Sequence, residues 1–213
     1  MLEIWGRADS SNVQAVMWCV GELGLPFLRH DVGQRYGGTD TPDFIAMNPN
    51  RKIPVLRDGG GPALWESAAI MRYLAGSYGH GAFWPEDLVA RSEVDRWAEW
   101  AKINVAIPFM DEVFFPLIRR PAAERDPAAI ARAVTDLEQT LGIAESRLAE
   151  HPYLVGSDFS LADILLGHVL YRYYDIDIAR AELPALAAYY QRLTERPPFR
   201  EHVMIGYDAL RAG

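Results

Sequence analysis

The chain is short of cysteine, of long apolar runs and of net positive charge, and each shortage excludes a class of protein. A single cysteine, Cys19, in 213 residues leaves no intrachain disulfide framework and no Cys-rich zinc site, and it fits a reducing compartment. No apolar run approaches the ~18 residues of a membrane-span candidate. The opening segment from Met1 to Ser11 carries an acid at Glu3 and no long apolar core, unlike a signal peptide, so a cytoplasmic protein with no membrane partner is expected. With 21 basic residues against 29 acidic ones, the formal net charge is −8, which argues against a broad nucleic-acid grip. The histidines show no HExxH or His–Cys spacing, so no metal is expected. No Gly-x-Ser-x-Gly elbow appears, and Gly59-Gly60-Gly61 lacks the Lys-Ser/Thr pair of a phosphate loop.

What is present is an ordinary globular mixture, half apolar and 23% charged, long enough for one or two compact units. The two parts read differently. Gly76 to Pro85 holds three glycines and a proline, and such a stretch reads as a linker. The expected division is 1–79, an 80–86 linker, and an all-helical 87–213.

The first part alternates strands and helices. Leu2 to Gly6 reads as a strand, and Asp9-Ser10-Ser11-Asn12 supplies helix-start chemistry. Val13, Val16, Met17, Val20 and Leu23 then recur at helical spacing, and Gly24 ends that helix. Pro26 to Val32 is a second strand, and a short helix starts near Thr41-Pro42. Ile53 to Leu56 and Pro62 to Trp65 are a third and fourth strand around the Asp58-to-Gly61 turn. A helix with Ile70, Met71 and Leu74 on one face follows Glu66-Ser67. A β-α-β unit, a hairpin and a closing helix predict a small mixed sheet in an α/β domain.

The second part is helical throughout. Ile130, Val134, Leu137, Leu141, Ala144 and Leu148 step by three and four, a buried stripe. Ser160-Leu161-Ala162-Asp163 is a capping box with Asp in place of the usual Glu. Leu186, Tyr189, Tyr190 and Leu193 mark a final helix ended by Pro197-Pro198. Pro108 and Pro116 are expected to kink or break the long helix over about 87–119.

Four features of the first part carry possible chemistry. Ser10-Ser11-Asn12 offers hydroxyls at a helix N-terminus, where free N–H groups and a partial positive charge favour anions; capping the helix is the plainer role. Pro54, opening a strand, is a candidate cis peptide that would turn the Ile53 N–H and C=O outward to pair with an extended peptide; an ordinary trans bond is the alternative. Ser67 at a second helix start suits a carboxylate, and Glu66 suits an ammonium, although again an N-cap is the plainer reading. Lys52 is a point charge fit for a second carboxylate, or a solvated lysine.

In this order and at these spacings, the four resemble the glutathione transferase family over nearly the whole chain. The residues that carry the likeness are Ser10-Ser11-Asn12, Ile53-Pro54-Val55, Glu66-Ser67 with Ala68-Ala69-Ile70, and the run Leu154 to Ile164. The resemblance implies a thioredoxin-like domain followed by an all-helical one. It implies glutathione as co-substrate: the γ-Glu end at Glu66 and Ser67, the cysteinyl backbone at Ile53 beside Pro54, and the glycine carboxylate near Lys52. The sulfur would face Ser10 first, then Asn12, then Ser11. It also implies a small hydrophobic electrophile in the cleft between domains, with Trp97, Trp100, Asn104 and Phe109 as wall candidates, and a homodimer. A disulfide reductase or peroxidase would use the same thiol, and a binding protein that kept the fold is a third reading.

The implied mechanism rests on pKa. A thiol near ~8.5 is only a few per cent ionised at neutral pH. Lowering it by ~2 units takes ~2.7 kcal/mol. A hydroxyl hydrogen bond to a charge contributes ~1.5–3 kcal/mol and a helix N-terminus ~0.3–1 kcal/mol. The serine acts as donor and does not deprotonate. Cys19, inside the first helix, reads as core packing, and a tyrosine-type site is not expected where Trp5-Gly6-Arg7 stands. His168, in an apolar helix, reads as a core residue.

Overall fold

A computed structural model describes residues 1–212. They form two compact units, Met1–His80 with Pro197–Ile205, and Gly81–Arg196 with the residues from Gly206 onward.

The first unit is built on a four-stranded sheet in the order β2-β1-β3-β4. Strand β1 (Leu2–Trp5) runs parallel to β2 (Phe27–His30), with α1 (Ser11–Glu22) as the crossover. After a short α2 (Pro42–Met47), β3 (Val55–Asp58) pairs antiparallel with β1, and β4 (Ala63–Trp65) returns beside β3. Helix α3 (Ser67–Tyr78) closes the unit. This is the expected mixed sheet. The third strand starts two residues later than the sequence pattern indicates, because Pro54 has no N–H to give a ladder; the Ile53–Pro54 peptide is cis.

Helix α1 is buried on nearly every side from Val13 to Val20, more than one apolar stripe needs. The reason is a helix that the sequence pattern did not foretell. Pro197-Pro198 does not end the last helix; Pro197 opens α9 (Pro197–His202), as its fixed φ and missing N–H allow at a first helical position. Helix α9 packs on α1 and not with the helical unit. Phe199 meets the Trp18 ring edge-on at 4.7 Å. A Cβ on Gly21 would lie 2.8 Å from Pro198 Cβ, so only glycine permits this approach. Cys19 is fully buried here, and burial pushes its thiol pKa up.

Helix α3 continues through Gly76-Ser77 to Tyr78, so the glycine-containing stretch that opens at Gly76 begins inside the helix. The last turn is held from outside the helix, as the Tyr73 and Tyr78 hydroxyls both donate to the Asp58 carboxylate.

In the second unit, α4 (Leu88–Trp100) leads into two π-helical turns, Ala101–Ala106 and Phe109–Phe114, and then α5 (Phe115–Ile118). The prolines do not break this segment. Each π turn lies just before Pro108 or Pro116, and such widened turns accommodate a residue that lacks an N–H. Helix α6 (Pro127–Glu150) buries the six residues of the expected stripe and no others. Helix α7 (Leu161–Asp175) is central, packed between α4 and α8 (Pro184–Thr194). Its Asp163 is wholly buried and accepts from the Leu154 N–H at 3.0 Å, the Ser160 N–H at 2.8 Å, the Ser160 hydroxyl at 3.1 Å and the Tyr189 hydroxyl at 3.0 Å. His168 is buried against the Ile164 carbonyl, and desolvation lowers its pKa to about 3, so it is a neutral core residue.

Candidate functional site

The sheet register assembles the sulfur-side and peptide-side candidates of the first unit. Trp5 stands opposite Val55, and Val55 opposite Trp65. The end of β1, the start of β3 and the end of β4 therefore share one edge of the sheet. From that edge the chain runs into Gly6 and the start of α1, emerges from Ile53–Pro54, and turns into Glu66 and the start of α3. Gly6 shows how tightly these segments meet: a Cβ there would lie 2.5 Å from Val13 Cγ2 and 3.4 Å from Ile53 Cβ.

Ser10 occupies the N-cap position of α1 with extended backbone (φ −88°, ψ 125°), yet its side chain makes no capping hydrogen bond. Its carbonyl accepts from the Gln14 N–H at 2.8 Å, the first bond of the helix. Ser10 and Ser11 are 9% and 8% exposed. The plainer role, a hydroxyl spent on capping, is thus not the one Ser10 has. Asn12 is half-buried in the first turn, and its side-chain carbonyl accepts from the Ser67 hydroxyl at 3.2 Å.

Ser67, the first residue of α3, is buried. Before it, Glu66 has φ 69° and ψ 114°, a conformation that costs a non-glycine residue about 1–3 kcal/mol and that persists only where the surroundings enforce it. It lets β4 turn into α3 within one residue, so the N–H groups of the first turn of α3 lie at the same sheet edge as those of α1. Glu66 is exposed and does not cap its helix.

Pro54 is buried, and Lys52 is exposed. The loop before them is pinned by Asn48, a buried residue that pattern reading passed over. Its amide donates to the Lys52 carbonyl at 2.7 Å, and its side-chain oxygen accepts from the Asn50 N–H at 3.0 Å. The Asn-Pro-Asn-Arg turn at 48–51 is the signal that could have found it.

The loop from Gly6 to Asp9 holds a second group that sequence reasoning missed. Arg7 and Asp9 are both buried and joined at 2.6 Å, and Arg35 reaches the other Asp9 oxygen at 2.8 Å. Burial works against ionising Asp9, but the hydrogen bonds and charges of Arg7 and Arg35 outweigh it and hold its pKa below the ordinary carboxylate value.

The wall candidates all lie in the second unit. Asn104 is exposed on the first π turn and donates to the Trp100 carbonyl at 3.3 Å. Trp97 and Trp100 are half-buried and packed edge to face at 5.2 Å. Phe109 is not a wall residue: it is 1% exposed and packed against Phe114 and Tyr173 in the helical core. Among the described residues no helix is long and apolar enough to cross a membrane, and no group of three or more His, Cys, Asp or Glu stands ready for a metal ion.

A β-α-β-α-β-β-α unit with its paired helix starts, followed by an all-helical unit, is the glutathione transferase fold. The family model for the N-terminal domain of glutathione S-transferase matches residues 9–76, and that for the C-terminal domain matches residues 105–197. The chain is 35% identical over 206 residues to the Escherichia coli glutathione S-transferase GstB, covering 96% of this chain and 99% of that one. A theta class glutathione S-transferase from the citrus canker pathogen Xanthomonas axonopodis pv. citri, solved with glutathione bound, superposes with a TM-score of 0.90 at 43% identity, over 96% of this chain and 98% of that one. An Arabidopsis thaliana relative, glutathione S-transferase F14, is 32% identical over 95% of this chain and 80% of that one. The chain belongs to the glutathione S-transferase family, and it is a glutathione transferase enzyme.

Proposed function

We propose that the enzyme binds glutathione along the sheet edge and conjugates it to a small hydrophobic electrophile. The γ-Glu carboxylate meets the Ser67 hydroxyl and the first N–H groups of α3, and the γ-Glu ammonium meets Glu66. The cysteinyl backbone pairs with Ile53 beside the cis Pro54, and Lys52 approaches the glycine carboxylate. The sulfur then faces Ser10, with Asn12 and Ser11 behind it. Asn104 belongs to the electrophile side. What supports this reading most is the Ser10 hydroxyl: it sits at a helix start, is not spent on capping, and is therefore free to donate to an anion.

In this reading Ser10 donates its O–H to the sulfur, and the thiol proton leaves to solvent. The hydrogen bond and the helix N-terminus stabilise the thiolate by the ~2.7 kcal/mol that a pKa drop of ~2 units requires. The thiolate attacks an electrophilic carbon, forming the C–S bond as the leaving group departs with its electron pair. The enzyme works in the cytoplasm as a homodimer; exposed Ile103 and Ile107, four residues apart on one helical segment, provide an apolar face for a second copy.

The test is Ser10→Ala with glutathione and a chlorinated nitrobenzene. The ultraviolet absorbance of bound thiolate is expected to titrate higher and turnover to fall, with the KM for glutathione little changed. Wild-type turnover in the mutant would move the role to Asn12 or Ser11. Activity with a mixed disulfide but none with the nitrobenzene would replace conjugation by disulfide reduction. Light scattering giving the mass of a single chain would remove the homodimer.

A further inference from the structure

The chain as a whole is strongly acidic, yet the loop that delivers Ser10 is gripped by arginines. Arg7 lies within it and Arg29 and Arg35 reach it from β2 and the turn beyond. Arg29 donates to the Gly6 carbonyl at 2.8 Å and also pairs with Asp31. Arg7 and Arg35 each take one oxygen of Asp9. The Ser10 N–H donates to the Arg7 carbonyl at 3.3 Å, and the Arg7 N–H to the Val32 carbonyl at 3.2 Å. Tyr36 lies against Arg35, whose guanidinium carbon is 4.7 Å from its ring centre. Among these groups three arginines face two aspartates, so the loop keeps one unit of positive charge.

Asp9 is 4% exposed and directly precedes Ser10. Burying a carboxylate is costly unless it is paired, and here both its oxygens are paired, one within the loop and one across to a separate turn. A two-sided bridge of this kind defines where the residue after it must lie. Ser10 has no capping bond of its own to fix its side chain, so that definition has to come from its neighbours.

We propose that Asp9, bridging Arg7 and Arg35, is the positioning residue of the sulfur site: it sets Ser10 at the distance and angle from which its hydroxyl reaches the sulfur of glutathione. This inference rests on the reading of Ser10 given above. It differs from a simple electrostatic role in sign. Replacing Asp9 by Asn removes a negative charge beside the site, and by charge alone that lowers the thiol pKa. Loss of positioning raises it.

The experiment measures the pKa of enzyme-bound glutathione by ultraviolet titration, with kcat and KM, in four proteins: wild type, Asp9→Asn, Ser10→Ala and the double variant. The expected result for Asp9→Asn is a thiol pKa higher by about one unit, a tenfold smaller thiolate fraction at a pH below both pKa values, with kcat reduced and the KM for glutathione within about threefold. In the Ser10→Ala background the same change is expected to give no further rise, because the positioning by Asp9 acts through Ser10. An unchanged or lowered pKa in Asp9→Asn overturns the proposal, and so does an equal shift in both backgrounds. If Ser10→Ala alone leaves the thiol pKa at its wild-type value, it is the reading of Ser10 that fails. Should Asp9→Asn not fold, Arg35→Gln replaces it, since Arg35 is half exposed. A rise in thiol pKa that disappears in the Ser10→Ala background supports the bridge, and a rise that persists there is charge alone and overturns it.

Discussion

The Ser67 hydroxyl donates a 3.2 Å hydrogen bond to the Asn12 side chain, 55 residues away along the chain. The bond ties the first turn of α3 to the first turn of α1. Both helix starts carry unsatisfied N–H groups and partial positive charge, so the contact links two positions suited to anions. In the proposed binding mode, Ser67→Ala removes both the tie and a donor to the γ-Glu carboxylate. The KM for glutathione is expected to rise about tenfold, matching one hydrogen bond of ~1.4 kcal/mol, with kcat changed far less. Steady-state kinetics over a glutathione series decide it; an unaltered KM would remove Ser67 from the site.

Glu66 makes a different contribution. Its carboxylate is exposed and takes no part in capping its helix. Glu66→Gln keeps the shape and loses the charge, so binding of an ammonium is expected to weaken by about 1.5–3 kcal/mol, roughly ten- to a hundredfold in Kd. Calorimetry with glutathione and with a des-amino analogue checks the assignment: wild type should discriminate between them and the variant should not.

Gly6 tests the convergence of strand and helix. With Val13 Cγ2 only 2.5 Å from where a Cβ would stand, Gly6→Ala forces β1 and α1 apart. Overpacking of this kind costs about 1–3 kcal/mol. Urea unfolding should show a lower midpoint at unchanged m-value, and turnover should fall further than stability, because α1 carries Ser10.

The cluster of Asp58, Tyr73 and Tyr78 gives a pH signature at both extremes. The hydrogen bond from Tyr78, with that from Tyr73, holds the Asp58 pKa below the ordinary carboxylate range. That stabilisation is present above the unfolded-state pKa and is lost as pH falls through the folded one. The Tyr78 hydroxyl, bonded to Asp58, is pushed up to about 12. Its stabilisation is complete below the unfolded-state value near 10 and disappears as pH rises towards 12. Thermal unfolding of Tyr78→Phe should be less pH-dependent than wild type in both windows; an identical profile would assign the cluster no role.

In the helical unit, Asp163 receives two backbone N–H groups and two hydroxyls in a fully buried setting. Asp163→Ala leaves those donors unsatisfied, and at ~1–3 kcal/mol for each one that water cannot reach the loss is expected to exceed about 3 kcal/mol. Chemical denaturation should register it directly, and a loss under 1 kcal/mol would mean that water takes over the carboxylate's bonds.

Local pattern carried much of the architecture. The stripe from Ile130 to Leu148, the capping box at Ser160 and the alternating strands were legible because each is set by contacts within a few residues, where side-chain periodicity maps directly onto a buried face. The elements that depart from local pattern are those where distant chain intervenes. Pro197-Pro198, where the pattern ends the last helix, instead opens a helix of the first unit whose Phe199 packs on Trp18, and π-helical turns absorb Pro108 and Pro116 where local rules expect a kink or break.

The same division runs through the site. Residue types, order and spacing determined only that two helix starts, a proline at the head of a strand and a Glu-Ser pair together resemble the glutathione transferase family; taken singly, each reads more plainly as a cap or an ordinary strand proline. Tertiary structure alone decided that the Ser10 hydroxyl is not spent on its helix, that Asn12 and Ser67 touch, and that Asp9 is bridged by Arg7 and Arg35. Those facts depend on the register Trp5–Val55–Trp65 and on charges 26 residues apart, and no local spacing encodes which distant groups a buried carboxylate must find to remain ionised.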